Sequence, residues 1–373
     1  MSAEHILIVA GEASGDLHAA PVIAELKKLR PDLQFFGSGG DLMRQQGVEL
    51  LAELDDLAVM GFSSVPRVLP RLSRLKREII RRVQRDNVKL AILVDYPGFN
   101  LELAGSLRKL DNPPKILEYV APQVWAWRKG RIKKIRRLVD KLAVVFPFEE
   151  KLFLDGGVNA EFVGHPLVEE LIEYMDTGTV KPSERKNQIA LLPGSRRAEL
   201  QRHLATMVKA SELIRTAEPT VRFAVGKASN LKTADYEPML AGCSFISLEE
   251  DSRKLLTQSR AAIVCSGTAT LEAALLDCPQ VVVYKTSPIN YQIIKHLITL
   301  DTVGLVNIVA GEKIVPELIQ QDFTPETAAE AILNFLTNQE LSTKTRAAYA
   351  TVRQNLDAPG ASARVAQIAL KML

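Results

Sequence analysis

The 373-residue chain is poor in several features that would assign a class at once. It has three cysteines, Cys243, Cys265 and Cys278, each in or beside an apolar run and none at metal-ligand spacing. That excludes a disulfide scaffold or a zinc ribbon and reads as buried thiols in a reducing compartment. Aromatic residues are scarce at 6%, and both tryptophans fall within one short stretch, Trp125 and Trp127. No apolar run approaches the roughly 18 residues of a membrane span. Met1-Ser2-Ala3-Glu4 passes straight into the strand-like run His5 to Ala10, without a basic leader or cleavage site, so the protein is expected to stay in the cytoplasm. Net charge is small as well, 47 Lys plus Arg against 44 Asp plus Glu. The positives are uneven: Arg67 to Arg85 and Arg128 to Lys141 each hold eight basic residues and one acid. Two basic patches on a near-neutral chain suggest an anionic surface or ligand. They lack interleaved aromatics, which argues against nucleic acid.

What is present is ordinary globular material, 47% hydrophobic and 24% charged, in a chain too long for one core. Strand-like runs at His5 to Ala10, Gln34 to Phe36, Leu90 to Val94, Lys115 to Tyr119 and Lys141 to Val145 alternate with helical patterns. A second series follows at Gln188 to Leu192, Val221 to Val225, Ser244 to Ser247, Ala261 to Val264 and Gln280 to Tyr284. This alternation predicts an α/β protein of two doubly wound, Rossmann-like domains with parallel sheets. The domains are expected at 1–170 and 187–349, joined by the polar segment Asp176 to Lys186. A terminal helix at about 350–373 is expected to pack back on the first domain.

Ligands of such sheets bind beyond the carboxyl ends of the strands. In the second half, Ala261-Ala262-Ile263-Val264-Cys265 runs into Ser266-Gly267-Thr268-Ala269-Thr270-Leu271-Glu272. A tight turn at Gly267 with free N–H groups suits a phosphate, and Glu272, one turn on, suits a pair of sugar hydroxyls. Gly194, Ser195 and Arg196 sit at the same edge, with a guanidinium matched to phosphate oxygens. In the first half, Gly11 to His18 is a Gly turn carrying Glu12, Ser14 and Asp16, too acidic for a pyrophosphate and better suited to a polyhydroxy ligand. Asp95, followed by Tyr96-Pro97-Gly98-Phe99-Asn100, ends a buried strand, where desolvation tunes a carboxylate toward general-base work or a cap uses it. Between them Val65, Val68, Leu69, Leu72 and Leu75 recur at helical spacing among arginines, with regular helix expected from near Pro70. Such a stripe fits a membrane-surface helix or a core helix with a basic outer face. Together these features describe a nucleotide-sugar glycosyltransferase with its site in the cleft between facing domains.

Gly11 to Asp16, Asp95 to Asn100, Val124-Trp125-Ala126-Trp127-Arg128, Gly164-His165-Pro166, Leu192 to Arg197 and Ser266 to Glu272 stand in the order seen in lipid A disaccharide synthases, and the chain resembles that family over nearly its whole length. The resemblance implies a GT-B fold and an inverting enzyme needing neither metal nor cofactor. It implies UDP-2,3-diacylglucosamine as donor and 2,3-diacylglucosamine 1-phosphate as acceptor, on the cytoplasmic face of an inner phospholipid membrane in a Gram-negative-type bacterium. By the same resemblance Asp95 is the base and Asn307 an active-site residue. Arg196, Ser266, Gly267 and Thr268 hold the UDP phosphates, Glu272 the ribose, and Glu12 and Ser14 the acceptor side, where Asn100 is expected as well. With acylated substrates, the stripe Val65 to Leu75 is expected to dock on the membrane. Val306 and Glu312 depart from the pattern, where a proline and a basic residue are expected. The sequence leaves open whether the chain forms a homodimer. A UDP-N-acetylglucosamine 2-epimerase or peptidoglycan-lipid transferase would share the second-domain motifs, and a non-catalytic basic protein would leave them unexplained.

Overall fold

The computed structural model describes residues 4–57, 65–125, 130–172, 174, 181–287, 302–356 and 359–373. It divides into two units, Met1–Pro166 with Pro359–Leu373, and Leu167–Ala358.

The first unit is a seven-stranded parallel sheet: β1 His5–Ala10, β2 Gln34–Gly39, β3 Glu49–Glu53, β4 Leu90–Val94, β5 Lys115–Tyr119, β6 Lys141–Val144 and β7 Ala160–Phe162. Its spatial order is β3-β2-β1-β4-β5-β6-β7. Every residue of β4 and all of β1 except His5 are buried, because helices cover both faces of the sheet and leave no solvated side. The order reverses between β1 and β4, whose ends are in register at Ala10 and Val94. That switch point is where a doubly wound sheet opens a crevice, and it sets Gly11 to Ser14 beside Asp95. The terminal helix Ala361–Met372 packs on the helix Ala13–Leu29, and Arg364 Nε donates to the Val163 carbonyl at 2.7 Å.

Asp16 and Leu75 both face inward. Asp16 is 5% exposed and accepts from the N–H groups of Gly40, Leu42 and Met43 at 2.8, 3.1 and 3.1 Å. It therefore holds the start of the helix Asp41–Gln45. The basic helix runs Val65–Arg85 with Pro70 inside it, beginning five residues earlier than the prolines suggest. Leu75 is 4% exposed and joins Ile79 and Val83 in the core, with Leu72 packed partly against them. Leu75 is thus corrected from membrane stripe to core residue, because the sheet takes that face of the helix. Leu69, at 53% exposure, points outward. The side chains of Val65 and Val68 lie outside what is described.

The second unit has a six-stranded parallel sheet: β8 Lys186–Leu192, β9 Arg222–Gly226, β10 Ile246–Glu249, β11 Ser259–Cys265, β12 Gln280–Tyr284 and β13 Glu317–Ile319, in the order β10-β9-β8-β11-β12-β13. Its switch point lies between β8 and β11, which pair at Leu192 and Val264. Pro193 to Arg196 and Ser266 to Thr268 emerge there.

Candidate active site

In the second unit the two switch-point turns border a cavity of about 690 Å³, lined among others by Gly194, Ser195, Arg196, Ser266, Gly267, Thr268 and Glu272. Both turns need glycine. Gly194 has φ +114, with Glu199 Oε2 only 2.6 Å from where a Cβ would stand, and Gly267 has φ +151. The turn beyond β11 has no side-chain cap. Neither Ser266 nor Thr268 caps the helix Ala269–Leu275 through its side chain; Ser266 Oγ donates to the Val303 carbonyl at 2.9 Å instead. Among the described residues no hydrogen bond uses the N–H groups of Gly267, Thr268 or Ala269, so three adjacent donors remain for an anion. Arg196 begins the helix Arg197–Ala217 with its side chain 73% exposed and its Nη1 3.3 Å from Glu199 Oε1. Glu272 stands one turn beyond the free donors, and burial raises its carboxyl above the usual Glu range against the opposing charge of Arg253.

Sequence reasoning missed His203. Fully buried, it accepts from the Lys285 N–H through Nε2 at 2.9 Å, which leaves Nδ1 to donate to the Pro193 carbonyl at 2.8 Å. Burial holds its pKa below the ordinary His value, so a neutral imidazole ties the end of β12 to the loop that carries Arg196.

Asn307, in the helix Leu305–Ala310, is 1% exposed. Its Nδ2 donates to Val315 O at 3.0 Å and Glu317 Oε1 at 2.8 Å; its Oδ1 accepts from the N–H groups of Ile314 and Val315 at 2.9 and 3.0 Å. An amide has two donors and two acceptor positions, and all are taken. Val306 donates its N–H to Thr270 Oγ1 at 3.3 Å, a bond that the expected proline would lack. Glu312 is exposed.

In the first unit Asp95 borders a cavity of about 250 Å³ with Glu12, Val120, Arg131 and Glu149. Ser14 Oγ donates to Asp95 Oδ2 at 2.7 Å. Burial raises the Asp95 pKa, opposed by the Ser14 bond and the charge of His18. Gly11 is required because the Tyr96 ring lies 2.2 Å from the position of a Cβ. Two neighbouring strand ends are strained at this cavity. Asp95 has φ +39 and Val120 φ +65, the latter rare for a β-branched residue. Such strain costs about 1–3 kcal/mol per residue and clusters at functional sites.

Glu149 is the second residue missed. It is 1% exposed and accepts from Trp125 Nε1 at 2.8 Å and Phe146 N at 3.2 Å; burial pushes its carboxyl up to about 7. Trp125 is thereby an anchor, edge-on to Phe146 and Phe148, while Trp127 lies outside the described residues. His165 packs against the Phe146 ring. Asn100 is 1% exposed and is not among the residues lining this cavity; its amide makes no hydrogen bond among the described residues. No group of three or more His, Cys, Asp or Glu forms a metal site among the described residues.

Two doubly wound sheets with loaded switch points are the GT-B architecture, and solved structures agree. A UDP-GlcNAc 2-epimerase from Neisseria meningitidis, bound to UDP-GlcNAc, matches with a TM-score of 0.66 at 13% identity, covering 98% of this chain and 100% of that one. A calicheamicin glycosyltransferase matches with a TM-score of 0.60 at 14% identity over 100% and 99%. At such identities the likeness carries the fold alone. The sequence goes further: the family model Lipid-A-disaccharide synthetase matches residues 6–372. Lipid-A-disaccharide synthases from Geobacter sulfurreducens and Anaeromyxobacter dehalogenans are 40% and 42% identical, covering 100% and 99% of this chain and 98% of each relative. The chain belongs to the lipid-A-disaccharide synthetase family. It is a glycosyltransferase of lipid A biosynthesis, acting on a UDP-sugar and a lipid.

Proposed function

We propose that the enzyme transfers the 2,3-diacylglucosamine of UDP-2,3-diacylglucosamine to the 6-hydroxyl of 2,3-diacylglucosamine 1-phosphate. The bond from the anomeric carbon to the UDP phosphate breaks, the new β(1→6) bond forms, and UDP leaves with the bonding electrons. The hydroxyl proton passes to Asp95. The second unit takes the donor and the first the acceptor. The observation that carries the donor half is the three free N–H groups at Gly267 to Ala269 with Glu272 beyond them, a spacing that suits a diphosphate and the ribose attached to it. Arg196, exposed on the same cavity, supplies the charge for the phosphates. On the acceptor side Glu12, Ser14 and Asp95 gather at one switch point, and Asn100 keeps an unfilled amide nearby in sequence. Incubating the protein with both acylated sugars and reading products by mass spectrometry tests the assignment. UDP and the acylated disaccharide should appear only when both are present; UDP release from the donor alone, or epimerised donor, would overturn it.

The acylated substrates lie in a membrane, and we place the enzyme on its phospholipid surface through the start of the helix Val65–Arg85. No helix among the described residues is long and apolar enough to cross a membrane. Leu69 is exposed, with Arg71, Arg74 and Arg77 exposed on the following turns. Basic residues at an anionic leaflet contribute about 1 kcal/mol each. Leu69→Ser, combined with Val65→Ser and Val68→Ser, should reduce co-sedimentation with phosphatidylglycerol vesicles and leave the melting temperature unchanged. Leu75→Ser should do the reverse, because its side chain is core. Equal vesicle binding by the triple variant would remove the docking surface.

A further inference from the structure

Glu272 does not stand alone in the donor cavity. Arg253, from the helix Ser252–Gln258, donates Nε to Glu272 Oε1 at 3.0 Å and Nη2 to Glu170 Oε2 at 2.6 Å, and its Nη1 lies 3.5 Å from the Glu170 carbonyl. The side chains of Arg253, Glu170 and Glu272 are 26%, 14% and 15% exposed, so water screens these pairs weakly. Arg253 itself lines the cavity. Its helix is fixed independently, since Asp251 accepts the Lys254 N–H at 2.9 Å and the Tyr174 hydroxyl at 3.2 Å.

The geometry divides the work of the Glu272 carboxylate. Oε1 is held by Arg253; Oε2 accepts no hydrogen bond among the described residues and is left for a ligand. A carboxylate that receives two vicinal hydroxyls must stay ionised and keep its plane. A guanidinium with one nitrogen on each of two carboxylates enforces both, because its fork is rigid, whereas an ammonium is a point charge. Glu170 completes the clamp by fixing the far side of the fork.

We infer that Arg253, clamped between Glu170 and Glu272, is the positioning residue of the ribose subsite, aiming Glu272 at the vicinal hydroxyls and setting the preference for ribonucleoside over 2′-deoxyribonucleoside diphosphates. The inference rests on the reading of Glu272 as the ribose ligand, and the experiment separates the two. Calorimetric titration of the whole protein with UDP and with 2′-deoxy-UDP gives an affinity ratio in which any uniform loss of binding cancels. In the native chain the ratio should be about tenfold or more in favour of UDP, the effect of one charge-assisted hydrogen bond. Glu272→Gln should bring it close to one. Arg253→Met should remove most of it although Glu272 is intact, and the double variant should lose no more than either single one. Arg253→Lys should recover only part of the ratio, and it decides the matter in the same way if Arg253→Met fails to fold. A native ratio in both Arg253 variants, with collapse in Glu272→Gln, would make Arg253 a structural ion partner and overturn the inference while leaving the ribose reading intact. A native ratio in Glu272→Gln would remove the ribose reading and the inference with it.

Discussion

Asp95→Asn should lower kcat by at least about 10²-fold, the lower end of what general-base assistance supplies, without weakening UDP binding and without lowering the melting temperature. The substitution is as conservative as chemistry permits. Asn keeps the side-chain shape, still offers an oxygen to Ser14 Oγ, and tolerates the left-handed backbone at φ +39. What it removes is the basic lone pair. The stability half follows from proton binding. The folded state holds the Asp95 proton more tightly than the unfolded chain, whose Asp value is about 3.9. This group's contribution is therefore fully present below that value and is lost as pH rises through the raised folded value. At neutral pH the buried charge is a cost, and Asn relieves it. The same shift moves the acid limb of the kcat profile above the ordinary Asp range, and Asp95→Asn should erase that limb. A variant that melts much lower and turns over normally would make Asp95 a structural residue. The base would then be sought at Glu12, which borders the same cavity, and not at Asp16, whose carboxylate is committed to three backbone N–H groups.

The central strands were legible because parallel strands buried on both faces read as unbroken apolar runs, as in Leu90 to Val94 and Ala261 to Val264. The edge strands Glu49–Glu53, Ala160–Phe162 and Glu317–Ile319 were not. They are short, half-exposed and charged, and their identity comes from pairing with a neighbour. The donor turn was legible for a related reason: glycine at φ +151 between a buried strand and a helix leaves a local signature. The supports of the donor turn and of the first-unit cavity leave none. Glu149 finds Trp125 across 24 residues, His203 finds Lys285 across 82, and Arg253 finds Glu170 across 83. Each is an unremarkable polar residue in a helix until the fold brings the partner. Periodicity also says which face of a helix is apolar but not what covers it, which is why Leu75 and Leu69 separate only in the structure.

Asn307→Ala should lower the melting temperature and the catalytic rate together. The family resemblance implies an active-site role for Asn307, and its hydrogen bonds support a bracing one. The amide closes the loop 304–317 by bonding Ile314, Val315 and Glu317, and Glu317 in turn accepts from the N–H groups of Val303 and Gly304, each at 2.9 Å. Val303 and Val306 then meet Ser266 and Thr270, so the loop braces the turn whose free N–H groups we propose for the phosphates. Alanine would leave two buried backbone N–H groups, one carbonyl and part of a carboxylate unpaired. At about 1–3 kcal/mol for a buried group left unsatisfied, partly recovered by water, the loss should be on the order of 3 kcal/mol. For a unit of this size that is roughly 6–12 °C in Tm. UDP affinity should fall as well, because the braced turn loosens. Asn307→Asp sharpens the test: it keeps the oxygen that Ile314 and Val315 bond but turns a second carboxylate toward Glu317, and like charges at that distance repel. It should therefore melt below the native chain at neutral pH and recover as pH falls far enough to protonate one member of the pair. If Asn307→Ala instead keeps the native melting temperature and UDP affinity and loses only kcat, the amide contacts the reacting sugar directly and the bracing role is refuted.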